Sequence, residues 1–207
     1  MDLDTQEQPI FKSKIAMLKD YLLRKPIGKN QIDDMVDGLV NVMRYSDPSA
    51  IYPSGIENVK PDDGVDPEWF YPIFNGSNDF SELSAIHMYT TQEATFEDIG
   101  QLMLGIGLVE MQHYGKLSEL IRSLGGTIDQ SYDNSDVEIG KTPQEALKIA
   151  IDGEITTIDF YDKVAERIQK SKPTKTTETA LRLIAKIQAD ERVHLSLLRK
   201  KLERYGS

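Results

Sequence analysis

Two of the chain's three histidines stand three residues after a glutamate, in Glu110-Met111-Gln112-His113 and Glu191-Arg192-Val193-His194. Residues three apart on an α-helix point the same way. Each pair can therefore aim one oxygen and one nitrogen at a single point. The neighbours say where that point lies. Ile99, Met103 and Ile106 precede the first pair, and Leu117, Leu120 and Leu124 follow it. Ile184 and Ile187 precede the second, and Leu198 and Leu202 follow it. Both pairs interrupt apolar stripes that have to face a core. Two further glutamates behave alike. Glu154 falls among Leu147, Ile151, Ile158, Tyr161 and Ala165, and Glu82 shares a face with Ile86 and Tyr89. Carboxylates are almost never buried unless paired, and an uncompensated buried charge is strongly destabilising. No Lys or Arg reads on these stripes near them. Two divalent cations would balance four carboxylates and use both imidazoles.

The periodicity predicts helices over about 79–94, 96–124, 143–170 and 175–205, and strand signals are nearly absent. Gly125-Gly126 suits a helix C-terminus. Thr142-Pro143 with Glu145 combines an N-cap, a first-turn proline and a capping-box carboxylate. Ser171-Lys172-Pro173-Thr174 separates the last two helices. Four helices with short loops inside each pair make two helical hairpins. The connection at 126–142 is long enough to travel the length of a bundle, at roughly 3.3 Å per residue when extended. That permits a crossover without requiring one.

Register supports convergence. Glu82 and Glu110 have their midpoint at residue 96, at the break between the first two helices. Glu154 and Glu191 have theirs at 172–173, in the Lys172-Pro173 break. Residues equidistant from a hairpin turn lie opposite each other. Glu93 fails this test, because its midpoint with Glu110 falls inside the apolar run. There is also a weak internal repeat. Glu82 and Tyr89 are seven apart, as are Glu154 and Tyr161, and each such pair precedes a Glu-x-x-His. Glu82 has a second reading, since Asp79-Phe80-Ser81-Glu82 could be a capping box at a helix start. His87 lies off the Glu82 face and reads as a surface residue. Gly105-Ile106-Gly107 reads as close helix packing, and Met103 and Met111 as gap-fillers.

The N-terminal part differs. Residues 10–24 and 31–44 carry helical periodicity around the breaker Lys25-Pro26-Ile27-Gly28. Residues 45–78 read as irregular, with five of the nine prolines. They also hold Tyr45, Tyr52, Trp69, Phe70, Tyr71 and Phe74. Disordered linkers are poor in aromatics, so this arm is expected to pack on its own bundle or on a neighbouring subunit. The division expected is 1–78, a helical extension and aromatic, Pro-rich arm, and 79–207, the bundle. The formal charge of −10 argues against nucleic acid as a partner. The absence of cysteine excludes disulfides, thiol catalysis, iron–sulfur clusters and Cys-type zinc sites. The acidic start Met1-Asp2-Leu3-Asp4 shows no secretory signal, and the apolar stretch from Ile99 to Val109 is too short to span a membrane. A cytoplasmic protein that does not engage membranes is expected.

Ser81-Glu82-Leu83-Ser84-Ala85-Ile86, Val109-Glu110-Met111-Gln112-His113, Gly153-Glu154 and Asp190-Glu191-Arg192-Val193-His194 together resemble the ferritin-like di-iron and di-manganese carboxylate proteins. Those proteins take one Glu from each of two helices and Glu-x-x-His from each of the other two. The resemblance covers about residues 79–205, with rubrerythrin-like and manganese-catalase-like proteins the nearest in flavour. It implies an all-α, ferritin-like four-helix bundle of two helical hairpins with a long crossover, here with an N-terminal helical extension. It implies two divalent metal ions, iron or manganese. Glu110 and Glu191 would bridge them, Glu82 and Glu154 would be terminal ligands, and His113 and His194 would serve one metal each. Asp190 matches a position that orients an opposing histidine, and Tyr89 and Tyr161 would sit near the site. The implied activity is oxidoreduction of a small oxidant, hydrogen peroxide or dioxygen, in a homo-oligomer. The same scaffold also hosts ferroxidase and iron-handling proteins, and a metal-stabilised bundle without activity is a third reading. Two departures bear on a rubrerythrin. Thr157 stands where a further Glu often follows, and no four-cysteine rubredoxin module is present.

Overall fold

A computed structural model describes residues 43–75, 80–128 and 133–205. The helices expected at 10–24 and, but for its last two residues, at 31–44 lie outside the described residues. The described chain is all-helical. α1 spans Tyr71–Asn75, α2 Glu82–Thr95, α3 Glu97–Ser123, α4 Pro143–Gln169 and α5 Lys175–Glu203. Two 3-10 turns, Ile56–Asn58 and Pro67–Trp69, precede α1. α2 packs on α3 and α4 packs on α5, giving the two expected hairpins, and α3 also meets α5. Among the described residues no helix is long and apolar enough to cross a membrane.

Local chemistry sets the helix boundaries. Ser81 caps α2, its hydroxyl accepting from the Ser84 N–H, so Glu82 begins the helix rather than closing a capping box. Phe96 alone separates α2 from α3, which is the break that the Glu82–Glu110 midpoint requires. At the end of α3, the Gly125 and Gly126 N–H groups bond back to the carbonyls of Arg122 and Ile121, a Schellman arrangement. Thr142 caps α4 through the Glu145 N–H. The Glu145 carboxylate reaches the Lys141 N–H instead of the cap residue's own. Thr174 and Thr177 form a reciprocal capping box on α5.

Apolar residues gather in two clusters at opposite ends of the bundle. One contains Met88, Ile99, Met103, Ile106, Leu147, Ile151 and Leu198. The other contains Leu117, Leu120, Ile121, Val164, Ile168, Leu183, Ile184 and Ile187. On α3, α4 and α5 the glutamates and histidines of the sequence motifs fall between the two, and on α2 Glu82 opens the helix ahead of the residues of the first cluster. Met111 departs from the expected gap-filling role and is 47% exposed, because it follows Glu110 by one residue and so leaves the buried stripe.

The described part of the 45–78 arm packs on its own bundle. Phe70, Ile73 and Phe74 are fully buried in the second cluster, and Phe74 stacks on Tyr114 with ring centroids 4.3 Å apart. The Thr174 hydroxyl donates to the Asp63 carbonyl, and the Lys60 N–H donates to Thr176. By contacts, the described residues from Tyr45 onward form one compact unit. The described part of the arm thus shares a core with the helices it covers. Its aromatics supply core that α3, α4 and α5 leave open. The glycines of Gly105-Ile106-Gly107 serve two partners. A Cβ on Gly107 would press on Tyr89 of α2 at 3.3 Å, and one on Gly105 would fall inside the Tyr45 ring of the arm, at 2.1 Å.

If the arm completes the core, Phe74→Ala removes a fully buried ring and lowers the unfolding free energy by about 3–5 kcal/mol. Urea titration followed by circular dichroism measures it. A loss below about 0.5 kcal/mol, the range of surface substitutions, would make the arm peripheral.

Candidate metal centre

Four helices each deliver one glutamate to the level between the apolar clusters: Glu82 from α2, Glu110 from α3, Glu154 from α4 and Glu191 from α5. All four are at most 5% exposed, and His113 and His194 are fully buried. They form two overlapping groups. One is Glu82, Glu110, His113 and Glu191, and the other is Glu110, Glu154, Glu191 and His194. Within each group, one donor atom per residue lies within 4.8 Å of all the others. Glu110 and Glu191 belong to both. The structure therefore brings together all six residues that the sequence singled out. His87 stays outside, half-buried with its Nε2 3.2 Å from the Asn134 amide.

Both imidazoles turn Nδ1 toward the carboxylates. His113 Nδ1 lies 3.0 Å from Glu110 Oε2, 3.3 Å from Glu191 Oε1 and 3.5 Å from Glu82 Oε2. His194 Nδ1 lies 2.9 Å from Glu110 Oε1, 2.9 Å from Glu191 Oε2 and 3.4 Å from Glu154 Oε1. Several of these approaches are close yet out of line for a hydrogen bond. Glu82 Oε2, Glu110 Oε1 and Glu191 Oε1 are buried and accept none from the described residues. Buried acceptors without partners are costly, so the cluster is short of positive donors. Among the described residues no Lys or Arg pairs with any of the four glutamates. Three orphaned carboxylate oxygens converging with two imidazole nitrogens are what a metal ion would satisfy, and an O/N donor set of this kind suits iron or manganese.

The tyrosines cross between hairpins. Tyr89 of α2 donates its hydroxyl to Glu154 Oε1 of α4, and Tyr161 of α4 donates to Glu82 Oε1 of α2. This exchange follows from the sevenfold Glu–Tyr spacing repeated in the two hairpins. Burial and the facing glutamates raise both phenols well above their ordinary range, so both remain donors at neutral pH. A cavity of about 10 Å³ lies between α2 and α4, bordered by Glu82, Glu154, Tyr89, Ala85 and Thr157. Thr157, where a further glutamate was considered, turns its hydroxyl to the Phe80 carbonyl.

Asp190 lies behind His113. Its Oδ2 is 3.2 Å from His113 Nε2. Its Oδ1 accepts from Lys186 Nζ at 2.6 Å, Ser46 Oγ at 2.8 Å and the Asp47 N–H at 2.6 Å. Burial opposes its charge, but the bonds from His113 and Lys186 outweigh burial and hold Asp190 below its usual pKa. An ionised carboxylate can only accept, so the bond to Asp190 calls for a proton on His113 Nε2, and Nδ1 is the nitrogen turned to the glutamates. Lys186, Ser46 and Asp47 were missed in the sequence. Lys186 was within reach, one helical turn before Asp190. Ser46 and Asp47 had no signal, because they come from the arm. Tyr52 was also unforeseen. Its buried hydroxyl has no hydrogen-bond partner among the described residues, and its ring lies under Lys186 Nζ at 5.3 Å.

With no cation counted, protons have to balance the cluster. Burial raises Glu82 to about 7 and Glu191 well above the carboxylate range. Burial alone would raise Glu110 too, but His113 and His194 outweigh it and hold it low. Burial disfavours the charged imidazoles, yet the facing glutamates raise both histidines. A group whose folded pKa is raised stabilises the fold below its unfolded pKa and stops doing so as pH rises through the folded value. For Glu82 that window runs from 4.5 to about 7, and both histidines act in the same sense above it. The melting temperature of chelator-treated protein should therefore fall between pH 5 and pH 8. Manganese(II) or iron(II) added at pH 8 should restore it, since metal replaces the lost protons. Thermal melts across that range test this, and a midpoint that climbs with pH in chelator contradicts it.

No curated protein matches the chain in sequence. The family model for the Ferritin-like domain matches residues 81–205, which run from the cap of α2 to just past the end of α5. That span holds both hairpins and all six residues of the buried cluster, and the chain belongs to the ferritin-like domain family.

Proposed function

We propose that this protein is an oxidoreductase with a dinuclear iron or manganese centre that acts on hydrogen peroxide or dioxygen. The observation that carries the reading is the level of four buried glutamates and two imidazoles with no Lys or Arg against the glutamates among the described residues. Glu110 and Glu191, common to both groups, would be shared by two metal ions. Glu82 with His113 would complete one position, and Glu154 with His194 the other. Two divalent cations would offset the four carboxylate charges. Bound there, iron or manganese supplies the electron transfers that breaking an O–O bond requires.

The chain's own residues supply the rest. The two apolar clusters keep bulk water from the charged level, which strengthens every interaction inside it. Tyr89 and Tyr161 steady Glu154 and Glu82 by donating hydrogen bonds through their hydroxyls, and Tyr89 borders the cavity. That cavity, about 10 Å³, matches roughly one water-sized molecule, which favours a diatomic or peroxide over any larger substrate. Disproportionation of hydrogen peroxide needs no further reductant, in keeping with a chain that carries no cysteine-bound electron relay.

Elemental analysis joined to turnover tests this. Protein purified without chelator should hold about two iron or manganese ions per chain and should consume hydrogen peroxide or dioxygen. Glu110→Ala/Glu191→Ala should lose the metal and the turnover together. Loaded protein that reacts with neither oxidant would sink the reading.

A further inference from the structure

We propose that the two metal positions are unequal, the one served by His113 filling first, because Asp190, held by Lys186, Ser46 and Asp47, fixes the far nitrogen of His113 while no described residue does so for His194. This rests on the dinuclear reading above and adds an order to it. The two imidazoles are alike in burial and in how Nδ1 meets the glutamates. They differ behind the ring. His113 Nε2 faces Asp190 Oδ2 at 3.2 Å. His194 Nε2 is fully buried and has no hydrogen-bond partner among the described residues.

The internal repeat explains the difference. Asp190 immediately precedes Glu191, and Val109 holds the matching place before Glu110. Lys186 stands five residues before Glu191, and Gly105 stands five before Glu110. The arm treats the two places differently. Tyr45 fills the space over Gly105, while the next two residues bind the Lys186–Asp190 pair. Lys186 Nζ also donates to Ser46 Oγ at 2.8 Å and to the Asp47 carbonyl at 3.1 Å. The Ser46 hydroxyl thus accepts from Lys186 and donates to Asp190, so all four residues form one closed network.

A partner on the far nitrogen of a ligating histidine fixes its tautomer and ring angle and makes the near nitrogen a better donor. Removing such a partner typically weakens metal binding about 10–100-fold. His194 already lacks one. Its ring is held on the glutamate side only, and its buried Nε2 has no hydrogen-bond partner among the described residues. Ser46 and Asp47 are therefore positioning residues. They lie outside the cluster and act on it through Asp190.

The test is a manganese(II) titration of chelator-treated full-length protein, with free manganese read from its electron paramagnetic resonance signal. Two steps separated by about 10–100-fold in Kd are expected. Asp190→Asn should weaken the tight step by a similar factor and leave the loose one in place, so that the steps merge. Ser46→Ala should shift the tight step alone, by a smaller factor. A measurement on the native chain does not depend on the variants folding: crystals grown with one equivalent of manganese(II) should show stronger anomalous scattering beside His113 than beside His194. Two equal steps, equal scattering or a stronger signal at His194 overturns the order and leaves the dinuclear reading intact. Failure to bind manganese or iron at all removes the dinuclear reading itself.

Discussion

Four carboxylates at one level of a helical bundle repel one another, and the rest of the architecture is arranged around that repulsion. Each glutamate is fixed to a different helix, so none can retreat to solvent without breaking a helix or a hairpin. Above and below lie apolar clusters that raise the cost of unbalanced charge. The cluster answers in two ways. It draws both imidazoles inward, and it shifts its own proton affinities, Glu82 and Glu191 upward and Glu110 downward. Divergent proton affinities among neighbouring carboxyl groups are a mark of functional sites. Here they mark a buried cluster that could hold metal ions in place of protons.

The arm connects that chemistry to the outer layers of the protein. Phe70, Ile73 and Phe74 enter the apolar cluster on one side of the charged level, while Tyr45, Ser46 and Asp47 reach the back of the level itself. The result is a site whose pseudo-symmetry, set by the repeated hairpin, is broken from outside the repeat. The reciprocal Tyr89–Glu154 and Tyr161–Glu82 bonds preserve the symmetry, and the Asp190 network removes it.

Much of the site was legible because α-helices translate sequence spacing into direction. Glu-x-x-His on an apolar stripe puts both donors on the buried face, whatever the bundle's details. Equal distances from Phe96 and from the Lys172-Pro173 break put facing glutamates at one height, and the helix boundaries agree with that arithmetic. Met111 shows the limit of the method. Methionine type alone suggested packing, whereas its place one residue beyond Glu110 put it outside. Lys186 shows another limit. Its spacing from Asp190 was visible, but a lysine is ordinarily solvated, and only the arm's oxygens give it a reason to be 4% exposed.

What the sequence by itself determined is therefore the all-helical fold, the two hairpins and the six inward donors, since each follows from periodicity and from distance to a turn. The tertiary structure decided what lies behind those donors. Ser46 and Asp47 are more than 130 residues from Asp190, at separations of 144 and 143. No local pattern encodes a contact over that distance. It exists because the arm's aromatics bury themselves in the bundle, and burial of that surface carries the arm's polar residues to the one buried carboxylate able to receive them.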